Sequence, residues 1–156
     1  MNVLITGASA GFGQALAEKL VAQGHRVIGC ARRLEKLNAI ADHLGELFLP
    51  VMMDVSDTKA IAKTLADLPA DFREIDVLVN NAGLALGTEP AQNADLSDWM
   101  QMVDTNIKGL MAVTHAVLPA MTARDSGYII NVGSIAGSWP YFGGNVYGAT
   151  KAFVKQ

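Results

Sequence analysis

Residues 3–13 read Val3-Leu4-Ile5-Thr6-Gly7-Ala8-Ser9-Ala10-Gly11-Phe12-Gly13, a short apolar run that gives way to glycines and then to a segment, Gly13 to Gln23, whose apolar residues recur at helical spacing. A glycine-rich string carries weight only where it joins a strand to a helix, and this one lies at such a junction. There, glycine permits a tight turn and lets the backbone approach a pyrophosphate. The anion is met by unpaired N–H groups and the positive end of the helix. Gly7, Ser9, Gly11, Phe12 and Gly13 are the candidates for that contact. Taken alone, the same string serves equally well as a plain strand-to-helix turn.

Outward from this junction, apolar runs rich in Val, Ile and Leu recur at Arg26 to Cys30, Leu47 to Met52, Asp76 to Val79 and Tyr128 to Val132. Helical spacing recurs between them at Leu34 to Leu44, Lys59 to Asp67 and Leu96 to Ala123. Such alternation predicts βαβ units with right-handed crossovers. The expected fold class is α/β: a Rossmann-like, doubly wound parallel sheet with helices on both faces, formed by one domain over residues 1–156. Gly83 to Asn93 and Ala136 to Asn145 are the main loops, and Pro119 predicts a kink or a division of the last helical stretch.

Composition narrows the function. With 51% apolar and 17% charged residues the chain has the make-up of a folded globular protein. Its 12 basic and 15 acidic residues leave a net charge of −3, which argues against a nucleic-acid backbone or an anionic membrane as partner. No apolar run approaches the roughly 20 residues needed to span a bilayer. Met1-Asn2-Val3-Leu4-Ile5 has none of the parts of a secretory leader. The single cysteine, Cys30, sits in an apolar run as a small buried hydrophobe, and a reducing cytoplasm is the expected location. No metal centre is expected.

The end of the second strand bears on which dinucleotide binds. An NAD site places an acid there for the adenosine ribose hydroxyl, whereas NADP needs room and positive charge for a 2′-phosphate. Here the chain reads Ala31-Arg32-Arg33, with no acid until Glu35. Two guanidiniums offer planar, charge-assisted hydrogen bonds to a phosphate, and Ser9 adds a hydroxyl, so NADP is favoured. Outside this context, two arginines opening a surface helix would simply be solvated.

Asn80-Asn81-Ala82-Gly83 follows the fourth strand, where the carboxyl ends of parallel strands form a binding crevice. Asn81, Ala82 and Gly83 are candidate cofactor contacts, although a turn alone would account for the tetrapeptide. Further on, Tyr147-Gly148-Ala149-Thr150-Lys151 places a phenol and an ammonium four residues apart, on one face of a helix. A nearby cation lowers a phenol's pKa, which suits it to general acid–base work and makes Tyr147 and Lys151 catalytic candidates. Ser134, after the fifth strand, is placed to orient a substrate oxygen beside Tyr147. Singly, each of these residues has an ordinary surface or turn explanation.

Together and in this order, the glycine turn, Asn80-Asn81-Ala82-Gly83, Ser134, Tyr147 and Lys151 resemble the short-chain dehydrogenase/reductase family. The resemblance implies that Tyr147 exchanges the proton with the substrate oxygen, that Ser134 stabilises that oxygen, and that Lys151 lowers the Tyr147 pKa and binds the nicotinamide ribose. It implicates Asn106 as the residue supporting a water in the proton relay, and Asp54 and Val55 as adenine contacts. The stretches Val132 to Tyr141, Gly143 to Phe153 and Cys30 to Leu37 are similar to the NADP-dependent 3-hydroxy acid dehydrogenases within that family. That similarity implies a small 3-hydroxy acid, such as serine or allo-threonine, or its carbonyl form as substrate, and a homotetramer. Other expectations are a reductase of another carbonyl (sugar, steroid or acyl-carrier) and a non-catalytic NADP(H)-binding fragment. The family continues for roughly two further strands beyond the Tyr147–Lys151 helix. The chain is therefore expected to be the leading part of a longer protein, lacking the last strands and leaving the fifth strand as an exposed edge.

Overall fold

The computed structural model describes residues 1–156. Five strands, β1 (Asn2–Thr6), β2 (Arg26–Ala31), β3 (Phe48–Met52), β4 (Val77–Asn80) and β5 (Tyr128–Asn131), form one parallel sheet in the order β3-β2-β1-β4-β5. Strand order reverses between β1 and β4. Chains leaving those two strands diverge to opposite sides, so a crevice opens beyond their carboxyl ends.

The connecting helices are α1 (Gly11–Ala22), α2 (Leu34–Leu44), α3 (Ile61–Ala66), α4 (Ala70–Arg73), α5 (Leu96–Val103), α6 (Leu110–Ala123) and α7 (Asn145–Lys155). Side chains alternate across each strand, so one apolar run serves two cores. Val3, Ile5, Val27 and Val79 meet Ala17 of α1 and Leu37 and Ile40 of α2. Leu4, Ile28 and Leu78 point the other way, to Ile61 and Leu65 of α3 and to Val113, Val117 and Met121 of α6. Burial on both faces is why these strands read as unbroken apolar runs rather than alternating ones. Each fully buried Leu or Ile contributes about 1.5–3 kcal/mol. Cys30 belongs to the second core, where burial pushes its thiol up to about 12.

The helical stretch expected over Leu96 to Ala123 is divided, but not at Pro119. The break is one π-helical turn, Asp104–Gly109, between α5 and α6. Gly109 lies against Val55 there, and a Cβ on it would stand 2.8 Å from Val55 Cγ2. Pro119 stays inside α6. It lies on the exposed face, where the carbonyl of exposed His115, deprived of its helical donor, meets water. β5 pairs on one side only, with β4, and its residues Tyr128 and Ile130, which share one face, are exposed. No helix is long and apolar enough to cross a membrane.

Candidate active site

A cleft of about 650 Å³ runs across the carboxyl ends of the strands. Its floor is the β1–α1 turn, where each glycine answers a separate demand. Gly7 and Gly11 take φ of 70° and 59°, which disfavours any side chain. Gly7 also lies so near the β4 loop that a Cβ would stand 2.9 Å from Ala82 Cα. At Gly13 a Cβ would fall 2.5 Å from the Gly7 carbonyl oxygen.

Thr6 binds this turn to the loop after β4: its hydroxyl accepts from the Asn81 N–H (3.1 Å) and the Ala82 N–H (2.9 Å). The Asn81 amide donates in return to the carbonyls of Thr6 (2.9 Å) and Gly7 (3.2 Å). Asn80 faces away, donating to Thr114 and Asn131 and so tying β4 to α6 and β5.

At one end of the cleft, Arg32, Arg33 and Ser9 line the wall, and Arg33 Nη2 donates to Ser9 Oγ at 2.9 Å. Asp54 and Val55 form the adjacent wall. Asp54 is the only acid lining the cleft, and Oδ1 of its carboxylate accepts from the Ser56 N–H and hydroxyl. The guanidiniums therefore meet no acid in the position that selects NAD. Phe12 stands at the rim, 86% exposed. Backbone cradle, unopposed cations and hydroxyl fit an NADP phosphate set.

Ser134, Tyr147 and Lys151 line the other end. Tyr147 and Lys151 come from successive turns of α7, and Ser134 from the segment after β5. Ser134 Oγ accepts from the Ala136 N–H (3.1 Å), starting a short turn, Ile135–Gly137. The turn lies so close to α7 that a Cβ on Gly137 would stand 2.5 Å from Lys151 backbone. Lys151 is 7% exposed; its ammonium donates to the Val132 carbonyl (2.8 Å), and burial pushes its pKa below the usual lysine value.

Gly11, Gly13 and Asn106 do not line the cleft: Gly13 and Asn106 are buried, and Gly11 is exposed at the start of α1. Asn106, in the π-helical turn, is buried: its amide donates to the Leu84 carbonyl (2.9 Å) and the Thr150 hydroxyl (3.0 Å), while Oδ1 accepts from the Leu84 N–H (2.9 Å). A Cβ on Gly83 would stand 3.3 Å from Asn106 Oδ1 and 3.5 Å from Lys151 Nζ, so the glycine keeps a gap between amide and ammonium. Sequence reasoning missed Thr6, Thr105 and Thr150. Thr6 and Thr150 carried a signal in their positions, one ending the first apolar run and the other standing between the phenol and the ammonium. Thr105, inside an apparently continuous helix, had none.

The short chain dehydrogenase family pattern matches residues 1–156. An NADP-dependent 3-hydroxy acid dehydrogenase of Salmonella typhimurium is 60% identical over 156 residues, covering 100% of this chain and 63% of the relative. A serine 3-dehydrogenase of Rhizobium radiobacter is 55% identical over 155 residues, covering 99% and 62%. The crystal structure of serine dehydrogenase from Escherichia coli superposes with a TM-score of 0.98 at 56% identity, covering 100% of this chain and 72% of that one. The closed form of serine dehydrogenase complexed with NADP+ gives the same score and identity, with 100% and 63% covered. The chain thus spans about 63% of the length of the curated relatives it matches.

Proposed function

The chain belongs to the short-chain dehydrogenase family, and on that premise we propose that it carries the cofactor site and proton-transfer groups of an NADP-dependent oxidoreductase acting on a small 3-hydroxy acid or its carbonyl form. The observation that carries this reading is one cleft with Arg32 and Arg33 at one end and Ser134, Tyr147 and Lys151 at the other. Residues 1–156 act as one dinucleotide-binding domain. The substrate class is supported by the relatives at 55% and 60% identity, whose names specify serine and 3-hydroxy acids.

Bound NADP supplies the hydride acceptor for oxidation and, when reduced, the donor for the reverse reaction. The glycine turn, Asn81, Ala82, Asp54 and Val55 bind its adenosine and pyrophosphate, and Arg32, Arg33 and Ser9 select the 2′-phosphate. Tyr147 takes the proton of the substrate hydroxyl at its phenolic oxygen, or returns it to the carbonyl oxygen in reduction. Lys151, one helical turn from Tyr147 and held in place by the Val132 carbonyl, would hold the nicotinamide ribose. Ser134 Oγ is the hydroxyl that donates to the substrate oxygen. The gap that Gly83 keeps between Asn106 Oδ1 and Lys151 Nζ suits a water passing protons between lysine and solvent. The lone buried Cys30 supports a cytoplasmic location, and exposed Met111, Leu118 and Phe153 on α6 and α7 support the tetramer that the family likeness implies.

Purified protein given NADP+ and either serine or 3-hydroxypropionate should form NADPH. Tyr147→Phe should reduce kcat by roughly 100- to 10,000-fold, the usual worth of a general acid–base group. Undiminished turnover in that variant would overturn the assignment. A substrate panel spanning sugars, steroids and acyl-carrier thioesters tests the substrate class separately.

A further inference from the structure

We propose that Thr150 is a positioning residue for proton transfer, its one hydroxyl locking the turn of α7 that bears Tyr147 and Lys151 to the Asn106 amide and so to the Leu84 wall of the cleft. The proposal rests on the assignment of Tyr147 and Lys151 as the proton-transfer pair.

Thr150 is completely buried. Its hydroxyl donates to the Tyr147 carbonyl at 2.8 Å and accepts from Asn106 Nδ2 at 3.0 Å. The first bond alone would be unexceptional, since a helical threonine often satisfies its hydroxyl on the preceding turn. The second gives it another consequence. Asn106 is itself fixed to Leu84 through both the main-chain N–H and the carbonyl. Leu84 lines the cleft, and its neighbour Gly83 faces the Lys151 ammonium. One continuous path therefore runs from Tyr147 backbone through Thr150 and Asn106 to Leu84 in the cleft wall. Ala149 and Ala152, which flank the Thr150–Lys151 pair, can make no such side-chain bond.

Deleting the hydroxyl strands a buried amide proton on Asn106, which must then tilt away from Leu84 or go unsatisfied. Either outcome loosens the axial position of α7 relative to the cleft. A misplacement of about 1 Å between reacting groups costs on the order of 100-fold in rate. Simple core filling makes a different demand, because valine has the same shape as threonine and would serve as well.

The test compares Thr150→Val, which keeps shape and loses the hydroxyl, with Thr150→Ser, which keeps the hydroxyl and loses a methyl. In the full-length enzyme, Thr150→Val is expected to lower kcat about 10- to 100-fold. KM for NADP should stay within about 2-fold, the ionisation of the Tyr147 phenol should move, and Thr150→Ser should recover most of the rate. Phenol ionisation is followed by ultraviolet difference spectra against Tyr147→Phe, a readout that needs no turnover. If no hydroxy acid is oxidised by the parent enzyme, the functional reading fails while the titration still judges Thr150. A Thr150→Val enzyme with parental kcat and phenol titration overturns the proposal, and so does a Thr150→Ser enzyme as impaired as the valine variant. Should the valine variant not fold, Thr150→Cys, whose sulfur is a weak acceptor, should be more impaired than Thr150→Ser on the same two readouts; a cysteine variant matching the parent in both overturns the proposal.

Discussion

Arg33 shows how much a residue's meaning depends on what stands beside it. In the sequence it is one of two arginines opening a helix. In the structure its guanidinium donates to Ser9 at the edge of the glycine turn, so the cation is already aimed along the cleft. A hydrogen bond to a charged group is worth about 1.5–3 kcal/mol. Arg33→Ala is accordingly expected to raise KM for NADP roughly 10- to 100-fold while leaving KM for NAD nearly unchanged, as measured by initial rates with each cofactor. Equal losses with both would mean that Arg33 supports the turn rather than selects the phosphate. Asn106 marks the opposite case: polarity alone gave no reason to single it out, and the family likeness supplied it. Its three side-chain bonds explain the burial of a polar residue inside a helical stretch.

At the scale of elements, the site depends on how two loops close around the start of α7. Asn145 opens that helix with φ at 39°, a left-handed conformation that asparagine tolerates better than most residues. Its amide donates to the Glu89 carbonyl at 3.0 Å. Two residues earlier, Gly143 lies where a Cβ would stand 2.6 Å from the Thr88 carbonyl oxygen. The segments around residues 84–90 and 136–145 are thus fastened together beside Tyr147. Asn145→Gly accepts the same φ and removes only the side-chain bond. It should raise KM for the hydroxy acid about 2- to 10-fold with KM for NADP unchanged, in steady-state kinetics with each substrate varied. Most strand and helix positions were legible from apolar periodicity because β1, β2, β4 and the longer helices each bury a continuous face; the short α4 was not anticipated. Nor was the π-helical turn: within it Gly109 packs against Val55, a contact distant in sequence that no local pattern signals.

Across the whole molecule, the buried lysine of the cleft is a cost to folding that the sheet and helices must offset. Lys151 is nearly buried, and desolvation holds its pKa below the 10.5 of an exposed lysine. Between the lowered value and 10.5, the unfolded chain binds more protons than the folded one, so stability rises with pH through that interval. Below it the folded state bears the whole desolvation penalty. Urea denaturation from neutral pH up to 10.5 should show this rise in the parent and its loss in Lys151→Met. Parallel curves would mean that the ammonium is better solvated than its burial indicates. The α/β class, the parallel sheet and the cofactor type were readable from the sequence alone, since apolar runs, glycine spacing and the charge at the end of β2 are local properties. For Ser134, Tyr147, Lys151, Arg32 and Arg33, spacing and position after the strands suggested their separate roles, and likeness to a family joined them into one site. Which polar groups brace the site was decided by tertiary structure, because Thr6 with Asn81, Asn106 with Leu84 and Thr150, and Asn145 with Glu89 pair across sequence separations that no local pattern encodes.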